Sequence, residues 1–161
     1  MSVVPLIAVR GITKHFPLRR GIVERLRGGH PPAVQALREV DFSVRRGETF
    51  ALVGESGCGK STLARIVMGL IPPTGGSVAF DGQPVEGLSR GDALRFRRRI
   101  QMVFQNPFGS LNPRMRVGQI VGEPLHVHRA GLSLRRRGLH ARVAEVLREC
   151  GLDPTLSLIH I

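Results

Sequence analysis

The sequence has no tryptophan and no tyrosine, and only 7 phenylalanines in 161 residues. Any core it forms is therefore aliphatic. It has 2 cysteines, Cys58 and Cys150, at no disulfide or metal-ligand spacing, which excludes a disulfide scaffold and a cysteine-built zinc site. No run approaches the roughly 18 apolar residues of a membrane-spanning helix. Met1-Ser2-Val3-Val4-Pro5 lacks the charged start and long apolar stretch of a secretory signal, so a cytoplasmic location is expected. Acid is scarce too, with 12 Asp and Glu against 24 Lys and Arg.

The resulting net charge of +12 comes almost wholly from arginine. Such a balance raises the question of nucleic acid or an anionic surface. The densest runs, Arg97-Arg98-Arg99 and Arg135-Arg136-Arg137, fall in expected helices, and no aromatic residues interleave them as base-stacking platforms. Direct nucleic-acid binding is therefore not expected. The six histidines give no ligand cluster: His126 and His128, two apart, point in different directions on a helix.

The informative stretch is Gly54-Glu55-Ser56-Gly57-Cys58-Gly59-Lys60-Ser61, a match to G-x-x-x-x-G-K-[ST]. Thr49 to Val53 before it is a short apolar run that reads as a buried strand. Thr62 to Leu70 after it has helical apolar spacing and stops before Pro72-Pro73. Strand, glycine loop and helix is the context a phosphate-binding loop needs. Gly54, Gly57 and Gly59 let backbone N–H groups approach an anion, and the helix adds its free N–H groups and positive dipole end. Lys60 is a mobile charge for β- and γ-phosphates. Ser61 is placed to hold Mg2+, and Thr62 to bond a phosphate oxygen. Cys58 fills space at a variable position of the loop.

The rest of the chain reads in order. Residues 6–9 form a strand. Residues 17–32 are basic and rich in Gly and Pro, as in a surface insertion. Residues 36–44 form a second strand and 45–48 a turn. Residues 77–80 form a strand that ends in the turn Asp81-Gly82. A short basic helix at 92–98 precedes a buried strand at 100–104. A helix at 117–126 is expected to be interrupted at Pro124. Residues 133–150 form the clearest amphipathic helix, with Leu134, Leu139, Val143, Val146 and Leu147 on one face and Gly151 as C-cap. The fold class is α/β, with 49–53 and 100–104 in a parallel core, an antiparallel portion of 6–9, 37–44 and 77–80, and helices beyond Asn106.

The loop alone leaves many nucleotide-binding families open. Residues 47–63, Pro72-Pro73-Thr74-Gly75-Gly76-Ser77-Val78 with Asp81-Gly82, and Gln101-Met102-Val103-Phe104-Gln105-Asn106-Pro107-Phe108-Gly109-Ser110-Leu111-Asn112-Pro113-Arg114 together resemble the ATPase subunits of ABC transporters. The last segment resembles the oligopeptide, dipeptide and nickel importer branch. The resemblance runs from about Leu6 to Asp153. It implies ATP and Mg2+ as ligands, with Glu55, Ser56 and Cys58 in the loop and Phe16 stacking on adenine. Family members often have Tyr at the Phe16 position, but a phenyl face also stacks. It further implies that Gln105 coordinates Mg2+ and positions water, and that Lys60 and Gln105 are the catalytic residues of this chain. The implied partners are integral-membrane transporter subunits, a second ATPase subunit and, indirectly, an external solute-binding protein, with the ATPase on the inner face of the membrane.

The same comparison predicts residues 1–105 as nucleotide-binding core and 106–154 as the start of a helical subdomain. Residues 155–161 are read as a non-native tail. The family's Leu-Ser-Gly-Gly-Gln signature, its Asp-Glu strand and its switch histidine do not follow Gly151, so the chain resembles an N-terminal fragment that does not turn over ATP. The alternatives are a nucleotide-binding module without turnover and a non-transport ABC-type ATPase.

Overall fold

The computed structural model describes residues 4–18, 33–106, 109, 111–128 and 136–159. Most of the expected insertion at 17–32, together with Pro107, Phe108, Ser110 and Leu134, lies outside the described residues. The chain divides into two units, Met1–Ile100 and Gln101–Ile161.

The first unit is a four-stranded antiparallel sheet with a helix on it. Its strands are β1 (Ile7–Pro17), β2 (Ala33–Val44), β3 (Gly75–Phe80) and β4 (Gln83–Pro84). Their order is β2-β1-β3-β4. β1 is longer than the expected 6–9 because it runs through a bulge. Val9 and Ile12 are both buried although they are three apart, a spacing that would put them on opposite faces of a regular strand. The register slips between them, with Gly11 at φ 56°. One extra residue resets the alternation, so both side chains face the core. Asp41 holds the bulge by accepting from the Gly11 N–H at 3.0 Å. Gly76 lies so close to it that a Cβ there would sit 2.4 Å from the carbonyl oxygens of Arg10 and Gly11.

Helix α1 (Lys60–Val67) lays Leu63 and Ile66 on the sheet against Val9, Ile12, Leu37 and Val78. Leu63 and Ile66 are three apart, hence on one helical face, and their burial contributes about 1.5–3 kcal/mol each. The expected Asp81-Gly82 turn joins β3 to β4, with both residues at positive φ and Phe80 paired to Gln83. Helix α2 (Arg90–Arg99) starts at Ser89, whose hydroxyl accepts from the Asp92 N–H. It packs Phe96 edge-on against Phe80, ring centroids 5.4 Å apart.

Asp81 ties three segments of this unit together. Its carboxylate accepts from Arg46, after β2, and from Arg99, at the end of α2. Hydrogen bonds from Arg99 and then Arg46 hold the Asp81 pKa below its ordinary 3.8. A carboxylate whose pKa is lowered by folding adds stability above its unfolded pKa, and that stability is lost as pH falls through the folded value. Asp81→Asn is therefore expected to lower the urea midpoint at pH 7 and to have little effect well below pH 3.8. Midpoints measured from pH 7 to pH 2.5 check this. A variant that tracks the wild type at a constant offset contradicts it.

Two expectations fail here. Residues 49–53 and 100–104 join no ladder. A strand exists only through its neighbours, and among the described residues no strand lies beside either segment, so an apolar run suited to a doubly covered parallel strand stays unpaired. Val53 is 93% exposed and Val103 96%. Phe50 stacks on Phe42, ring centroids 4.8 Å apart.

In the second unit, α3 (Val117–Val127) and α4 (Arg136–Glu149) precede a short 3-10 turn at Pro154–Leu158. Pro124 does not interrupt α3. The missing proline N–H removes one hydrogen bond, but the helix continues past it and His128 N–H still reaches the Pro124 carbonyl at 3.0 Å. α4 buries Leu139, Val143 and Leu147 as its periodicity predicts. It ends with Gly151 at φ 74°, the Leu152 N–H bonding Leu147 O and the Gly151 N–H bonding Arg148 O, a Schellman closure. The chain end packs on α3: Val117 N–H donates to Ile159 O, and a Cβ on Gly118 would lie 2.8 Å from Ser157 O.

Candidate functional site

The glycine loop leaves 49–53 as irregular chain and becomes α1 at Lys60. Gly59 is the N-cap residue, at φ 96°. A Cβ there would meet the Ala36 carbonyl oxygen at 2.6 Å and the Leu37 side chain at 2.8 Å. Glycine at 59 is thus required twice, by its left-handed backbone and by β2 lying against it. β2 in this way fixes where the loop turns into the helix.

The start of α1 is open to an anion. No side chain caps it, and its first turn contains no acidic residue. Its first N–H groups have no carbonyl one turn back to bond, and no carboxylate in that turn opposes the dipole. Ser61 is exposed and Thr62 half-buried in that first turn. Lys60 curls back over the loop. Its Nζ donates to Gly54 O at 2.7 Å and Glu55 O at 2.6 Å and lies 3.4 Å from Cys58 Sγ. The loop thereby holds its cation at the helix mouth. Glu55, Ser56, Gly57 and Cys58 are exposed along the rim. Loop, cation and bare helix end fit a polyphosphate, and the exposed Ser61 hydroxyl at the same turn fits a hard divalent cation.

Phe16 lies near the end of β1, 40% exposed, opposite Val34 of β2. Two residues further along β2 is Ala36, the residue whose carbonyl touches Gly59. The β1–β2 ladder therefore brings Phe16 to the side of the phosphate loop, about 7 Å along the strand direction from the Gly59 contact. Gln105 is exposed in a bend of the second unit. Two hollows lie elsewhere, one of 330 Å3 against Phe80 and Phe96 and one of 450 Å3 between α3 and α4. The glycine loop is an open rim, as suits a ligand gripped by backbone N–H groups.

Sequence reasoning missed Ala36 and Lys14. Ala36 matters through its backbone oxygen, which leaves no trace in residue type. Lys14 left a compositional signal: it and Lys60 are the two lysines of the chain.

Comparison with known proteins gives the family. A model of the ABC transporter family matches residues 37–158. A probable peptide ABC transporter ATP-binding protein of Sinorhizobium fredii is 43% identical over 152 residues, 94% of this chain and 41% of that protein. A di/tripeptide transport ATP-binding protein of Pseudomonas aeruginosa is 42% identical over 149 residues, 92% of this chain and 44% of that protein. The chain thus spans less than half the length of these relatives. Among solved structures, a dimeric ATP-binding cassette in a post-hydrolysis state with ADP and phosphate superposes with TM-score 0.73 at 25% identity, covering 96% of this chain and 61% of that one.

Proposed function

The chain belongs to the ABC transporter family, and from that premise we propose that it is the nucleotide-binding part of an importer ATPase for peptides or similar small solutes. The observation that carries this reading is the uncapped, acid-free start of α1 with the Lys60 ammonium held over it. In this reading Gly54 to Gly59 wrap the polyphosphate of ATP with backbone N–H groups, and Lys60 neutralises its β- and γ-oxygens. Thr62 bonds a phosphate oxygen, and Phe16 stacks on the base. Ser61 would hold Mg2+, which when bound would spread the charge of the β- and γ-phosphates. Gln105 orients the attacking water.

The peptide branch rests on the importer-type segment from Gln101 to Arg114 and on the transport functions named for both bacterial relatives. The whole protein would work as a pair of ATPase subunits on the inner face of the membrane, bound to integral-membrane subunits that receive solute from an external binding protein. Among the described residues, no helix is long and apolar enough to cross a membrane.

Two measurements test the reading. Purification of the full-length protein from detergent-solubilised membranes should bring down integral-membrane subunits, and recovery without any such subunit contradicts the transport role. Ser61→Ala should weaken ATP binding in Mg2+ about tenfold or more, the size of one lost charged contact, and have little effect in EDTA. Equal weakening in both conditions contradicts the metal role of Ser61.

A further inference from the structure

Lys14 and Phe16 are two apart on β1 and so share a face. The Lys14 Nζ lies 5.2 Å from the Phe16 ring centroid and donates to the Pro72 carbonyl at 2.6 Å. The end of β1 is otherwise loosely specified. Its register with β2 slips on both sides of Lys14, and the Phe16 ring is 40% exposed. Contacts that join this strand end to the segment after α1 include the Lys14 bond to Pro72, the His15 N–H to Thr74 Oγ1 at 3.0 Å, and the Thr74 N–H to Thr13 O at 2.9 Å. The Lys14 side chain also reaches the aromatic ring.

We propose that Lys14 is a positioning residue for base recognition, pinning the Phe16 ring relative to the phosphate loop by cation–π contact on one side and by its tether to Pro72 on the other. The proposal rests on the reading that Phe16 stacks on the base of ATP. A nucleotide gripped at both ends needs its two anchors at a fixed separation. The phosphate anchor is set by Gly59 against Ala36, and the base anchor needs its own restraint. A compact ammonium on an unbranched stem suits that task, because it reaches a carbonyl while leaving the ring's other face free. The composition agrees: 24 basic residues are written as arginine at every position but 14 and 60, and both lysines lie at this site.

The test is calorimetric titration of the 161-residue chain with two probes, Mg2+-ATP and Mg2+-tripolyphosphate, for wild type, Lys14→Met, Lys14→Arg, Phe16→Ala and the double variant Lys14→Met/Phe16→Ala. Lys14→Met should weaken ATP about three- to tenfold, the span of a partly exposed cation–π contact, and leave tripolyphosphate unchanged. Lys14→Arg keeps a cation beside the ring and should recover at least half of the lost selectivity. In the Phe16→Ala background, Lys14→Met should have no further effect on ATP. The inference is overturned if Lys14→Met weakens both probes alike, which would make Lys14 a phosphate ligand, or weakens neither. It is also overturned if Lys14→Arg is as poor as Lys14→Met. If Phe16→Ala itself leaves ATP and tripolyphosphate binding unchanged, the stacking reading beneath the proposal fails. A selective loss in Phe16→Ala with none in Lys14→Met removes the Lys14 role alone.

Discussion

Replacing Lys60 by alanine is expected to weaken ATP binding about ten- to 150-fold, the value of a hydrogen-bonded charge lost from a charged ligand. AMP should be affected by less than about threefold, because it carries neither phosphate that the ammonium serves. The asymmetry follows from position. Lys60 opens α1, and its Nζ is held within 2.7 Å of the Gly54 and Glu55 carbonyls, at the mouth of a helix with no acidic residue in its first turn. A β- or γ-phosphate would meet the ammonium and the bare N–H groups together. Titration of wild type and variant with ATP and AMP reads this directly. Equal losses for both nucleotides would show that Lys60 only holds the loop in shape.

The second large effect is an absence of turnover. Phosphoryl transfer needs a positioned water, a group that orients or deprotonates it, and charge stabilisation around the γ-phosphate. On the proposed reading, these 161 residues offer Lys60 and Ser61 for charge and Gln105 for orientation. They contain no Asp-Glu strand after the second apolar segment and no Leu-Ser-Gly-Gly-Gln signature. In the family, the signature of one subunit completes the phosphate cage of the other, so two copies of this chain would still lack it. Phosphate release from Mg2+-ATP should therefore stay at background, with Lys60→Ala as the contamination control. Turnover on the order of 1 s⁻¹, an ordinary enzyme rate, that disappears in Lys60→Ala would refute this. The full-length protein, assembled with its membrane subunits, is expected to hydrolyse ATP.

What was legible in the sequence was what depends on local chemistry. The glycine loop, the helix after it, the Asp81-Gly82 turn and the Gly151 cap all carry their geometry in residue type at fixed spacing. The antiparallel strands were found but cut short. Gly11 breaks the alternation of β1, and alternation is the signal by which a strand is read, so the expected strand stops at residue 9. The runs at 49–53 and 100–104 carry the composition of parallel strands, but pairing belongs to the neighbouring chain and not to the run itself. Pro124 carries a break signal in its residue type, one lost hydrogen bond, but the rest of α3 continues around it. At the site, the loop residues were visible from the motif. The support that Ala36 gives Gly59 and the tether from Lys14 to Pro72 were not, because both run through backbone oxygens brought close by register and tertiary packing.

Backbone hydrogen exchange with and without Mg2+-ATP tests most directly whether residues 54–62 form the nucleotide site. The account predicts that Mg2+-ATP slows exchange of the amides from Gly57 to Thr62, that adenosine does not, and that Lys60→Ala loses most of the protection at the same ATP concentration. Unchanged exchange across 57–62 at saturating ATP, or protection confined to the hollow against Phe80 and Phe96, would contradict it.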